Sequence, residues 1–214
     1  MSGSLVLVVS RKETNMSYSE FTMDDLKSKF HLNFVQDEAL FPVVPEYPIS
    51  AELRKYLVTY VPLALAIDTE KARSEYIVAQ ILGELKMSHH DDISLFSGIE
   101  FNVDKELGLA GRCDYIISRS GDQYSLTAPV VVMVEAKNDN IKSGIAQCGA
   151  EMLAAQKFNQ QKNNQVSFVY GCVSTGTNWK FLKLSGTDLY IDVVEYYIDA
   201  PEKIMGILAC VMAI

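Results

Sequence analysis

Two acids and a base are spaced in this chain as phosphoester chemistry would need them: Asp114, then Glu135 and Lys137 two residues apart. The apolar run Val130-Val131-Val132-Met133-Val134 ends abruptly in Glu135-Ala136-Lys137, and Asp114 is a lone acid inside Gly111-Arg112-Cys113-Asp114-Tyr115-Ile116-Ile117. A carboxylate carried into a core costs free energy unless something pairs with it. Residues two apart on a strand share a face, so Glu135 and Lys137 should point the same way, with Val130, Val132 and Val134 packed against the opposite layer. If the strand over 111–119 is the antiparallel neighbour, Asp114 stands beside Glu135. Two such carboxylates repel unless a cation lies between them. An oxygen-only donor set with room for water suits Mg²⁺ or Mn²⁺ rather than zinc. The simpler alternative is a strand-end ion pair between Glu135 and Lys137, with Asp114 hydrogen-bonded to Arg112 or Tyr115, which would contribute little.

The elements that must position these side chains follow from periodicity. Thr22 is a plausible N-cap for a short helix over 23–30, and four prolines (42, 45, 48 and 62) punctuate a loop followed by a short helix near 52–60. The spacing predicts a longer helix over 69–86, capped by Thr69, with Ile77, Ile81 and Leu85 on one face. The period then changes to two. Ile99, Phe101 and Val103 alternate with polar residues, and strands follow over 111–119 and 129–137. A long helix over 142–160 carries the stripe Ile145, Cys148, Met152, Ala155 and Phe158. A hairpin turns at Ser174–Asn178 between strands over 166–173 and 179–184, a strand near 189–197 follows, and a terminal helix begins near Pro201. The order is that of an α/β layer structure with a central mixed sheet flanked by helices.

Composition bounds the function. Of 214 residues, 49% are hydrophobic and 21% charged, as in a globular chain. Cys113, Cys148, Cys172 and Cys210 are scattered with no C-x-x-C, which argues against a zinc knuckle or disulfide framework and suits a reducing compartment. The apolar stretch 204–214 is too short to span a bilayer, so a cytoplasmic protein with no membrane partner is the simplest expectation. Residues 1–16 have no element pattern, and Met16 is a candidate start. The net charge of −8 opposes non-specific nucleic-acid binding, which usually requires a basic face. No P-loop, dinucleotide fingerprint or nucleophile elbow is present.

Asp114 followed by Glu135-Ala136-Lys137, with a preceding helix bearing Glu75 and a following helix bearing Gln147, resembles the PD-(D/E)XK nuclease superfamily. The segments Phe96–Glu100, Gly111–Asp114 and Thr175–Phe181 are similar to its restriction-endonuclease-like members, so the resemblance spans about residues 69–200. It implies an α-β-β-β-α-β core, with residues 1–62 as an N-terminal extension of short helices packed on a nuclease domain over 63–214. It also implies Mg²⁺- or Mn²⁺-dependent phosphodiester hydrolysis, with nucleic acid, DNA before RNA, as the partner. Asp114 and Glu135 would be metal ligands, Lys137 the catalytic lysine, Glu75 an assisting metal ligand and Gln147 a polar catalytic residue of the following helix. One departure is Cys113, where the family's proline would stand.

Alternatives stand beside these assignments. Glu70 rivals Glu75, which lies on a stripe continuing to Val78 and Leu82, or else pairs with Lys71 on the surface. Gln147 lies near a helix N-terminus that favours phosphate, or is a surface glutamine beside Glu151. His89-His90-Asp91-Asp92 reads as a helix end rather than a metal cluster, and Trp179 as core. A second functional class is a catalytically silent nuclease fold used for binding or assembly, and a third acts on another phosphoester. Cutting both strands of a duplex would favour a homodimer.

Overall fold

The computed structural model describes residues 16–43, 46–164 and 166–213. Residues 1–15, on which the candidate start at Met16 bears, lie outside the described residues. One mixed eight-stranded sheet organises the chain, with the path β1-β7-β6-β5-β4-β3-β2 and β8 paired to β6. The strands are β1 (Asn33–Val35), β2 (Ser94–Glu100), β3 (Arg112–Ser118), β4 (Val130–Ala136), β5 (Val169–Ser174), β6 (Asn178–Ser185), β7 (Asp188–Ile191) and β8 (Tyr196–Tyr197). β2, β3 and β4 are antiparallel neighbours, whereas β4 and β5 run parallel, joined by the long helix α5 (Ile141–Gln161). A parallel pair needs such a crossover, and its strand ends converge at the mouth of the helix.

Helices cover both faces. α5 and α1 (Met23–Phe30) bury Cys113, Ile116, Met133, Val173 and Leu182 on one side. On the other, α2 (Ala51–Ile67), α4 (Ala79–Ser88) and α6 (Pro201–Ala213) bury Tyr115, Ile117, Val132, Val134, Cys172 and Phe181. Each aliphatic side chain so enclosed contributes roughly 1.5–3 kcal/mol. Trp179 is fully buried and donates its indole N–H to the Gly176 carbonyl at 2.9 Å, as expected of a core residue. No helix of the described residues is long and apolar enough to cross a membrane.

The α/β class and central mixed sheet agree with the sequence pattern; four local expectations need correction. The helix near 52–60 runs to Ile67, through Pro62, because Leu53, Leu57 and Ala64 are buried and their packing outweighs the local cost of about 3 kcal/mol for an interior proline. The boundary expected at residue 62 therefore falls inside a helix, and β1 of the supposed extension is a strand of the same sheet, parallel to β7. The single strand expected near 189–197 is two short ones, β7 and β8, paired to different stretches of β6. Finally, Val130 does not share the face of Val132 and Val134. The β3–β4 register shifts between Ile117 and Ser118, and the bulge turns Val130 toward the α5 side.

Candidate active site

Asp114 owes its position to a broken ladder. β3 pairs with β4 only as far as Tyr115↔Val134, and on the other side the pairing skips from Ser97↔Tyr115 to Ile99↔Cys113. The skipped residue of β2 is Gly98, with φ +63°, a backbone conformation that a residue with a Cβ adopts only under strain. β3 rotates there, so that Cys113 faces α5 and Tyr115 the opposite layer. The Asp114 carboxylate takes the place of a missing ladder acceptor, and its Oδ2 accepts the Ala136 N–H at 2.8 Å. It is thereby fixed to the middle residue of Glu135-Ala136-Lys137.

Glu135 and Lys137 do share a face. Lys137 Nζ lies 2.5 Å from Glu135 Oε1 and donates to Gln147 Oε1 at 3.2 Å. Gln147 is therefore brought into the site from α5. Its own Nε2 donates to Glu151 Oε1 at 3.3 Å. α5 comes this close because residue 144 is glycine. A Cβ there would lie 2.6 Å from Val173 Cγ1 and 3.1 Å from Lys137 Cγ, so the lysine stem runs against bare helix backbone.

The electrostatics follow from burial. Burial raises the Asp114 carboxyl above its usual range, opposed by the Ala136 N–H and the Lys137 charge. Glu135 is pushed up to about 7, by burial first and the Asp114 charge next, with Lys137 pulling the other way. Burial alone would lower Lys137, but the Glu135 charge and hydrogen bond, with Glu70 and Asp114 beyond, hold its ammonium above the ordinary value. Glu151 lies well above the carboxylate range through burial and the charge of Glu135.

Glu75 is not brought in. Its side chain is 58% exposed and pairs with Lys71 at 3.7 Å, at the surface. The expected stripe through Val78 and Leu82 fails because the helix is not uniformly α. Between α3 (Glu70–Arg73) and α4, Ser74–Val78 forms a π turn, which adds residues to one turn and rotates Glu75 off the buried face. Tyr115 holds that turn: its hydroxyl donates to the Ser74 carbonyl at 3.1 Å and lies 2.7 Å from Ser74 Oγ. The rival acid, Glu70, is exposed on α3, and its charge acts on Lys137.

Among the described residues, no three His, Cys, Asp or Glu side chains form a closed cation cluster. His89–Asp92 lies beyond α4, next to the start of β2, at the sheet end remote from Glu135. Asp114, fixed to Ala136, instead forms a two-carboxylate pair with the neighbouring buried Glu135. Its chemistry fits a hard divalent cation: the donors are carboxylate oxygens, Glu135 Oε2 is buried with no hydrogen-bond partner, and one ammonium faces several acids. Water and substrate oxygens would complete the coordination.

Glu151 and Gly144 went unrecognised as site residues in the sequence. Glu151 carried the same signal as Asp114, a lone acid within Cys148-Gly149-Ala150-Glu151-Met152-Leu153-Ala154, and is fully buried. No protein-family model matches the chain, and no curated protein matches it significantly.

Proposed function

We propose that this protein is a divalent-metal-dependent nuclease of the PD-(D/E)XK type, hydrolysing phosphodiester bonds in nucleic acid, with DNA as the first substrate to test. The observation that carries the proposal is the joining of Asp114, Glu135, Lys137 and Gln147 at the carboxyl end of β4, beside the end of its parallel neighbour β5. Ligand sites in α/β sheets favour that edge. Asp114 and Glu135 would hold Mg²⁺ or Mn²⁺, which when bound would supply Lewis-acid stabilisation to the phosphoryl group. Glu75 pairs with Lys71 at the surface, so Glu70, on α3, is the helix acid to test in its place.

Lys137 is an ammonium with three protons, of which Glu135 and Gln147 accept two. The third is free to orient an attacking water or to stabilise charge developing on phosphate oxygen. Against a net charge of −8, the cations closest to Asp114 and Lys137 along the chain are Arg112 on β3 and Lys142 in the first turn of α5. Phosphate contacts through so few cations would make binding weak and steeply salt-dependent. Cleavage of both strands of a duplex would call for a twofold dimer.

The test is Mg²⁺- or Mn²⁺-dependent cleavage of single- and double-stranded DNA and RNA by the wild type, with Asp114→Ala and Lys137→Ala as controls. Activity lost in both variants is expected. Variants that cleave as well as wild type would overturn the assignment. A folded wild type that cleaves nothing and binds no Mg²⁺ near millimolar concentration by calorimetry would favour the silent binding module.

A further inference from the structure

Glu151 has no role in the chemistry above, yet it sits directly behind it. It lies one helical turn after Gln147, fully buried between Ala150 and Met152, which are buried too. A carboxyl in such a place costs free energy unless its hydrogen bonds are of use to the fold or the site. Its Oε1 accepts Gln147 Nε2 at 3.3 Å, and Gln147 Oε1 in turn accepts Lys137 Nζ at 3.2 Å.

We infer that Glu151 is a positioning residue: through Gln147 it sets the direction in which the Lys137 ammonium points. A glutamine amide has ends of nearly equal shape and opposite polarity, an acceptor oxygen and a two-proton donor. Turned over, it would set an NH₂ donor against the ammonium and leave Lys137 with Glu135 as its one side-chain acceptor. Glu151 Oε1 holds the NH₂ end, so the carbonyl end must face Lys137. With Glu135 at 2.5 Å and Gln147 at 3.2 Å, two of the three ammonium protons are directed inward. The remaining proton points away from both acceptors. Gly144 supports the arrangement by letting the Lys137 stem lie against α5, 3.1 Å from where a Cβ would stand.

The catalytic consequence rests on the nuclease reading, whereas the orientation of the amide does not, and the experiment separates them. Glu151→Met fills the same space without an acceptor; Glu151→Gln again offers a carbonyl oxygen to Gln147. For the full-length protein with Mg²⁺ and the best DNA substrate, Glu151→Met should lower kcat by about 10- to 100-fold, the usual range for partners behind a metal site, with KM little changed. Glu151→Gln should restore most of it. The double variant Gln147→Ala/Glu151→Met should be no slower than Gln147→Ala alone, because Glu151 acts through Gln147. Independently of activity, the Gln147 side-chain amide should give a resolved, slowly exchanging NMR signal in wild type and Glu151→Gln. That signal should become averaged in Glu151→Met. A wild type inactive on every substrate would sink the nuclease reading and leave the amide signal to decide the orientation. Equal rates and equal amide signals in Glu151→Met and wild type, or fully additive losses in the double variant, would overturn the positioning role.

Discussion

The two ends of β4 solve one backbone problem in opposite ways. At the start the ladder with β3 shifts register and at the far end it stops, and at each end a side chain bonds the β4 backbone. At the start of the strand it is Asn159, buried on α5, whose amide both accepts the Val130 N–H and donates to the Val130 carbonyl, each at 2.8 Å. At the far end it is Asp114, which accepts the Ala136 N–H at 2.8 Å. The first stand-in is neutral and its bonds close on one residue. The second is charged, and it places a second acid and a lysine within reach of one another. A polar group that serves the fold spends its hydrogen-bonding capacity inside the protein, whereas one that serves chemistry keeps some unspent.

That contrast breaks most sharply on substitution. Asp114→Asn preserves the shape of the site but removes its charge, so cleavage should fall by about 10²–10³-fold, the loss typical of one electrostatic element. The urea midpoint should hold or rise, because a partly buried charge has been removed. A variant that unfolds instead would make Asp114 a structural residue like Asn159. Conversely, Asn159→Ala leaves Val130 with two unpartnered buried groups, at about 1–3 kcal/mol each, and should lower stability by about 2–6 kcal/mol with cleavage per folded molecule unchanged.

The pH dependence sharpens the same difference. Glu135 sits near 7 in the folded protein against a usual 4.5, so its folded form is the better proton binder between those values. Stability is therefore present below about 4.5 and is lost as pH rises through 7. Metal-free protein should gain stability toward pH 5 in urea titrations, and Glu135→Gln should flatten that trend. No such slope should come from the Asn159 end, which does not titrate.

Smaller effects are expected at the supports. Gly144→Ala forces a Cβ to within 2.6 Å of Val173 Cγ1, and overpacking of this kind costs about 1–3 kcal/mol. Its cleavage rate should fall more than its stability alone explains, because Lys137 is displaced with the helix. Least of all, Glu75→Ala removes an exposed pair with Lys71 and should change stability by less than about 1 kcal/mol and leave cleavage unaltered. Glu70→Ala should slow cleavage. The reverse order of those two variants would restore Glu75 to the site.

Most of the site was legible because of a mismatch between residue type and local period. Asp114, Glu135 and Lys137 interrupt apolar runs, and such interruptions need a partner wherever the strand goes. Glu151 interrupts an apolar run too, but on a helix a single turn does not say which face is covered. Glu75 failed for a different reason. Its stripe presupposed 3.6 residues per turn, and the π turn over Ser74–Val78 is held by Tyr115, a residue 41 positions away in sequence. Val130 failed likewise, since a bulge is visible only once two strands are paired.

By itself the sequence determined the order of the principal helices and strands, the α/β layering and the identity of the charged residues that needed explanation, because those follow from local periodicity and the cost of burying charge. Only the tertiary structure decided which acids meet. Asp114 reaches Ala136 through a rotation beside Gly98, Gln147 reaches Lys137 because Gly144 lets α5 approach, and the π turn carries Glu75 away. Each depends on contacts between segments far apart in the chain, and residue spacing holds no record of such contacts.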